Sequence, residues 1–310
     1  MADLASTGDS STARSSPASS TAEPLNVKTV VFGDDLEFDA WYGCSFYSPE
    51  NEKRKSTSQL IDKLFVCNRC FKYSTDGSFM GQHLLLCSTA FQVPGKVIYQ
   101  YNQFSIREID GESTKLYCQC LSMFAKLFLD TKSIYFAVDK FKFYVLIHHI
   151  SSKSEQAVGF FSKEKLSWDE NNLACILIFP PFQGQGLGQM LIEFSYQLSI
   201  LEGVVGSPEK PLSEYGRNSY YLYWCTAIFR VLPALSEQNS HSVSIDELAT
   251  ATGIRQDDVV DALRTMSALQ MRKQSAGDPI WAISKANIEA WISARNVRLK
   301  PLIDLNYISL

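Results

Sequence analysis

The stretch from Leu173 to Glu202, LACILIFPPFQGQGLGQMLIEFSYQLSILE, constrains the fold more than any other part of the chain. Its apolar run, Leu173 to Phe179, is short enough for a buried strand and is stopped by Pro180 and Pro181. A loop follows in which Gly184, Gly186 and Gly188 fall within five positions. Beyond it Leu187, Leu191, Phe194, Leu198 and Leu201 recur at helical spacing, so a helix is expected to begin at the glycines. A strand, a glycine loop and a helix in that order present unpaired N–H groups and a positive dipole end to an anion. A phosphate-bearing ligand is the natural guest, although a tight turn alone also accounts for such a loop.

A second pattern is as specific. Cys67, Cys70, His83 and Cys87 read C-x2-C-x12-H-x3-C, which is zinc-ligand spacing. The first pair fits a knuckle turn, and His83 and Cys87 lie one helical turn apart, so four ligands can converge. Four protein ligands leave no open position, which makes the expected zinc structural rather than catalytic. Phe71 and Leu84 are expected to pack beneath it. The other five of the eight cysteines lie outside this pattern, as core or chemically active residues would.

Composition bounds the class. With 310 residues, 45% hydrophobic and 20% charged, the chain can bury a substantial core. A net charge of −4 argues against a surface built to bind nucleic acid and suits a basic substrate. The apolar runs are far shorter than the roughly 20 residues a membrane span needs, and the first residues lack the pattern of a secretory signal.

Taken in order, residues 1–26 are Ser/Thr/Ala-rich and read as a disordered leader. Strands are expected at Val27–Phe32 and Leu36–Tyr42, and Lys53-Arg54-Lys55 lies in an exposed polar loop. Val97–Asp110 carries strand signals, Leu116–Leu129 reads as a helix, and Ile134–Val138 with Phe141–Ile150 as a hairpin around Asp139-Lys140. His148 and His149 lack ligand spacing and read as structural. Ser244-Ile-Asp-Glu247 reads as a capping box for a helix over Ile245–Thr252 closed by Gly253. A helix over Asp257–Leu269, a hairpin over Met271–Ile283 with its turn at Gly277-Asp278, and a helix near Ile288–Arg295 complete a winged-helix-like end. The acidic Asp257, Asp258 and Asp261 on its second helix would repel phosphates, so direct DNA contact stays open and this end reads as a structural flank.

Several phrases carry a resemblance. Gln183-x-x-Gly186-x-Gly188 fits the loop of acetyl-CoA-dependent N-acetyltransferases. Phe38-Asp-Ala-Trp-Tyr42, Leu191-Ile-Glu-Phe-Ser-Tyr196 and Ser207-Pro-Glu-Lys-Pro-Leu-Ser213 together resemble the MYST family of histone acetyltransferases, from about Val30 to the C-terminus. The resemblance implies an α+β fold: an N-acetyltransferase-like core (96–235) preceded by a C2HC zinc-finger segment (27–95) and followed by the C-terminal region (236–310). It implies acetyl-CoA along Ile176, Leu177, Ile178, Gln183, Gly184, Gln185, Gly186, Leu187, Gly188 and Gln189, with Ser213 at the far side. Glu209 matches the general base, which acyl transfer to lysine needs because a free amine with pKa near 10.4 is ammonium at neutral pH. Cys175 matches a residue beside the thioester, as pocket lining or optional acyl acceptor, although no electropositive neighbour is visible in the sequence. Lys132 matches an autoacetylated lysine.

The wording looks most like the silencing-linked "something about silencing" subgroup, which implies the histone H4 tail as substrate within a multi-subunit nuclear complex. One departure stands out. Gly184, Gln185 and Gln189 are uncharged where many family members carry basic residues beside the pyrophosphate. This keeps two other readings open: a non-catalytic chromatin-associated module with a decayed cofactor site, and a lysine acyltransferase with mainly non-histone targets.

Overall fold

The computed structural model describes residues 24–47, 60–90, 92–130, 132, 135–151, 154–238, 243–272, 280–295 and 297–310. Residues 1–23 of the expected leader, the Lys53–Lys55 cluster and the Gly277-Asp278 turn lie outside them.

Strand β1 (Val27–Phe32) turns back antiparallel onto β2 (Leu36–Asp39), and β3 (Ile61–Val66) joins its other edge in parallel, with β4 (Tyr73–Ser74) outermost. Chain order begins before β1: Asn26 accepts the Cys44 N–H and donates to the Cys44 and Tyr47 carbonyls. The expected second strand stops at Asp39 because the Trp41 and Tyr42 amides donate instead to Leu127 O, at 2.9 and 3.0 Å. Helix α1 (Gly77–Ala90) follows, with Asp76 Oδ1 accepting the Ser78 and Phe79 amides.

The main sheet uses β5 (Lys96–Tyr101) and β6 (Phe104–Asp110), then, after helix α2 (Lys115–Lys126), β7 (Phe141–Ser151), β8 (Ser154–Glu164), and, beyond the short β9 (Asn171–Leu173), β10 (Cys175–Ile178). Its order is β10-β8-β7-β6-β5, antiparallel throughout. One expectation is refined here and one fails. Val97–Asp110 is a hairpin, with Asn102 at φ +51° in its turn. The hairpin around Asp139-Lys140 does not form: Val138–Lys140 is a 3₁₀ turn, and β7 pairs with β6 and β8. The physical reason is burial. Phe143 to Ile147 is buried on both faces, so β7 sits in the middle of a sheet rather than in a two-stranded ribbon.

One face of the sheet packs against α2 and β1–β4. The rings of Phe32, Phe71, Phe124 and Phe179 interlock there at centroid separations of 5.1–6.0 Å. The opposite face packs against α3 (Leu187–Leu201), whose Leu191, Phe194 and Leu198 meet Ile106, Tyr144 and Phe161. After β11 (Ser207–Pro208) comes α4 (Glu214–Gln238), a 25-residue helix that anchors the rest of the chain. Buried Tyr220, Trp224 and Ile228 recur on it at i, i+4, and Trp224 Nε1 donates to Tyr196 Oη at 2.7 Å.

The C-terminal region is α5 (Ile245–Thr252), α6 (Gln256–Thr265), the antiparallel pair β12 (Leu269–Arg272) and β13 (Ile280–Ile283), and α7 (Lys285–Ser293). The Ser244 capping box and the Gly253 closure at φ +69° are present. Helix α6 ends four residues early, where Ser267 takes φ +53° and turns the chain into β12. The final segment is pinned by Glu193, which pairs with Arg230 at 3.1 Å and accepts the Leu302 amide at 3.0 Å.

Candidate active site and metal site

The four expected metal ligands converge. Cys67 and Cys70 lie on the turn between β3 and β4, and His83 and Cys87 on α1. Their ligand atoms all lie within 4.8 Å of one another, with Cys67 Sγ–Cys87 Sγ at 3.7 Å and Cys70 Sγ–His83 Nε2 at 3.3 Å. A tetrahedron with zinc–sulfur bonds of about 2.3 Å has edges of about 3.8 Å, so the donor set fits zinc. Cys67 is pulled down to about 5, first because Cys70 hydrogen-bonds to it, while Cys70 is pushed up by the same contact. Crowded sulfurs sharing protons in this way are what a divalent cation relieves. Met80, Leu84 and Phe65 pack around the ligands. Phe71 does not: at φ +60° its ring turns into the main core and ties the knuckle to the sheet.

A cavity of about 260 Å³ opens beside β10, lined by Lys132, Cys175, Glu209, Ser162 and Phe143 among others. Three elements deliver its reactive side chains. Cys175 opens β10, paired with Ser162 of β8. Glu209 follows β11, which runs parallel to β9, and its amide donates to Leu173 O at 2.8 Å. On the other side Gly206 exchanges hydrogen bonds with Gly253 O and the Arg255 amide, so the Glu209 segment is held on both edges. A Cβ on Gly206 would sit 2.7 Å from Asn172 Cβ, and only glycine permits this approach. Lys132, almost fully buried, points its ammonium at Cys175 Sγ, 3.9 Å away. Glu209 is raised above the usual carboxylate range, first by partial desolvation and then by Glu164, with Lys132 pulling the other way.

Because β11 pairs with β9 and not β10, the two strands part at Ala174, and β10 is the free edge of its sheet. That edge leads from the cavity past Ile176, Leu177 and Ile178 to the glycine loop, so an extended ligand can hydrogen-bond along it. Gly184 and Gly186 have φ of +78° and +80°, and added Cβ atoms would meet nothing within 4 Å. Gly186 caps α3 without a side-chain bond, and among the described residues the amides of residues 184–189 donate to no backbone carbonyl. The cradle therefore fits a pyrophosphate. Gln183 and Gln189 turn inward as clips, donating to Ile178 O at 2.8 Å and Ser219 O at 2.7 Å. Ser213 lies just before α4 and accepts the Gly216 amide at 3.1 Å.

This zinc knuckle and splayed-strand site agree with comparison to known proteins. Residues 92–308 match the MOZ/SAS family, and residues 25–87 match the MYST family zinc finger domain. The chain belongs to the MOZ/SAS family. It is 39% identical over 262 residues to the histone acetyltransferase SAS2 of Saccharomyces cerevisiae, covering 80% of this chain and 77% of that protein. It is 37% identical to the histone acetyltransferase MOF of Drosophila melanogaster over 91% of this chain but 32% of that protein. Human KAT6A matches at 40% over 78% of this chain and 11% of its own length. The match therefore spans most of the yeast relative and only a part of the longer ones.

Two features of this MOZ/SAS chain were invisible to sequence reasoning. Lys132 supplies Cys175 with the electropositive neighbour that local sequence lacks, from 43 residues away. Asp258, read as a surface charge of α6, is fully buried and pairs with Lys210 at 2.6 Å, directly after Glu209. No short-range signal marks either contact.

Proposed function

We propose that this protein is a histone lysine acetyltransferase that acts on chromatin in the nucleus, with the H4 N-terminal tail as the favoured substrate. The observation that carries the reading is one cavity holding Glu209, Cys175 and Lys132 at the near end of a free strand edge whose far end is an amide-lined anion cradle. Acetyl-CoA, when bound, supplies an activated acyl group. Glu209 accepts the proton of the incoming lysine ammonium, and its raised pKa brings it nearer the strength such a base needs at neutral pH. Residues 184–189 hold the pyrophosphate through backbone N–H groups, Ile176–Ile178 align the arm, and Ser213 fixes the start of α4. Cys175 lines the acyl end of the cavity and serves as an optional acyl acceptor. Lys132, buried against Cys175, is the internal acetylation site. Cys67, Cys70, His83 and Cys87 hold a structural zinc that keeps β3 and α1 in register with the core. The domain limits proposed are 27–95, 96–235 and 236–310, and the protein works with other subunits of a nuclear complex.

The test is acetyl transfer to an H4 tail peptide by the purified protein, with and without candidate subunits, comparing wild type with Glu209→Gln. Activity should fall at least a hundredfold in the variant while acetyl-CoA binding persists, an order of magnitude typical of losing a general base. Absence of both transfer and acetyl-CoA binding in wild type would sink the reading in favour of a non-catalytic chromatin module.

A further inference from the structure

The turn joining β8 to β9 is fastened along its length. The Lys165 amide donates to Lys140 O at 2.8 Å, and its ammonium pairs with Asp110 at 2.9 Å. Ser167 Oγ accepts the Asn171 amide at 3.1 Å, and the Arg255 guanidinium donates to Asp169 O at 2.9 Å. Yet this anchored turn holds Leu166 88% exposed and Trp168 100% exposed. A fixed backbone displaying a bare Trp beside a bare Leu is a surface that gains by being covered.

Charge and position identify what covers it. Both lysines of the segment are engaged, Lys163 with Glu202 at 2.5 Å and Lys165 with Asp110 and Glu112. Glu164, Asp169 and Glu170 have no ion-pair partner among the described residues. The turn thus offers an aromatic face among free carboxylates, a combination that attracts lysine and arginine side chains. It also adjoins the cavity at both ends. Glu164 lies close enough to Glu209 to raise its pKa, and β9 hydrogen-bonds to Glu209 through Leu173 O. Trp168 is five residues from Leu173, a chain reach of at most roughly 17 Å, which an extended peptide crosses in about five residues.

We propose that the Leu166–Trp168 turn is a docking site for the basic flank of the substrate tail, gripping residues about five or more positions from the acetylated lysine. The inference rests on the acetyltransferase reading and adds the element that selects long basic tails over short peptides.

The test compares wild type, Trp168→Ala and Trp168→Phe on two substrates: a 20-residue lysine- and arginine-rich histone-tail peptide, and a five-residue peptide centred on the same lysine. For Trp168→Ala the KM of the long peptide should rise roughly fivefold or more, in line with loss of a cation–π contact. Its kcat, the KM for acetyl-CoA and the short-peptide KM should be unchanged, and Trp168→Phe should restore part of the loss. A parallel anisotropy titration of the fluorescently labelled long peptide reads docking without turnover. Equal response of the two peptides, or tail binding that ignores Trp168, overturns the proposal. So does a defect confined to assembly with a partner subunit, which would make the turn a subunit contact. If wild type transfers acetyl to neither peptide, the acetyltransferase reading fails, and the titration alone decides the docking claim.

Discussion

Lys210 and Asp258 form an asymmetric pair, and the asymmetry predicts an unequal response to its two halves. The Asp258 side chain is 0% exposed and that of Lys210 is 43% exposed, at a separation of 2.6 Å. Among the described residues Asp258 Oδ2 has no hydrogen-bond partner, Lys210 being held by Oδ1. Replacing Lys210 with Met strands a carboxylate in the interior. Breaking a buried pair costs ~3–5 kcal/mol. The half-exposed lysine and the first turn of α6, whose dipole favours a carboxylate by about 0.5–1 kcal/mol, reduce that to roughly 2–3 kcal/mol. Asp258→Asn, by contrast, leaves an ammonium that can turn to water and a neutral amide in the interior, at about 1 kcal/mol. The double variant should cost little more than Asp258→Asn alone, giving a coupling energy of about 2 kcal/mol. Urea unfolding of the four proteins measures this, with unchanged m-values as the condition for comparison. Equal single costs that simply add would refute the reasoning, because the pair would then be an ordinary surface contact.

Other expectations are equally concrete. The acid limb of the acetyl-transfer rate should have its midpoint above the ordinary carboxylate range, and Glu164→Gln should move it down, since Glu164 is the second cause of the Glu209 shift. The same shift bears on stability. A raised folded-state pKa contributes stability that is full below the unfolded pKa and lost as pH rises through the folded one, so Glu209→Gln should be no less stable than wild type at pH 7 in thermal melts. Zinc assayed after acid release should approach one equivalent per chain, and a chelator should lower Tm in a way that added zinc reverses; an unchanged Tm counts against a structural metal. Gly186→Ala forces a Cβ into the +80° conformation at a strain of about 1–2 kcal/mol and puts a methyl group in the cradle. Acetyl-CoA affinity by calorimetry should fall about tenfold or more, beyond what that strain implies for global stability; unchanged affinity removes the cradle from the site.

Local chemistry explains what was legible in the sequence. The proposed zinc ligands are brought together by spacing within one turn and one helix, and the Ser244 cap and Gly253 closure by interactions spanning three or four residues, so a linear reading finds these clusters. Strand pairing is not local. The apolar run Phe141–Ile150 is compatible with any partner, including the hairpin its sequence suggests, and only double-sided burial picks β6 and β8. Helix α4 went unread although Tyr220, Trp224 and Ile228 carry its i, i+4 signal; flanking tyrosines, Asn218 and Pro233 blur the periodicity. Contacts such as Lys132–Cys175 and Lys210–Asp258, 43 and 48 residues apart, arise only when β10, β11 and α6 are brought together.

The uncharged loop is where local reading and structure combine to the most consequence. Counting side chains, Gly184, Gln185 and Gln189 supply no cation, which taken alone points to a weakened anion site. The structure changes the weight of that count. Gln183 and Gln189 are engaged as clips that fix the loop to the end of β10 and to α4, while the glycines turn the backbone so that, among the described residues, successive amides meet no carbonyl at the head of a 15-residue helix. On the proposed reading, anion affinity here rests on fixed N–H dipoles, which lose no side-chain entropy on binding and are screened by salt less than mobile surface charges are. The absent cations lower the attainable affinity, but the two clips oppose the loss of loop geometry that decay of the site would bring. On the proposed reading, a loop without cations that keeps its backbone geometry binds its ligand less tightly, and that differs physically from a site that has ceased to bind.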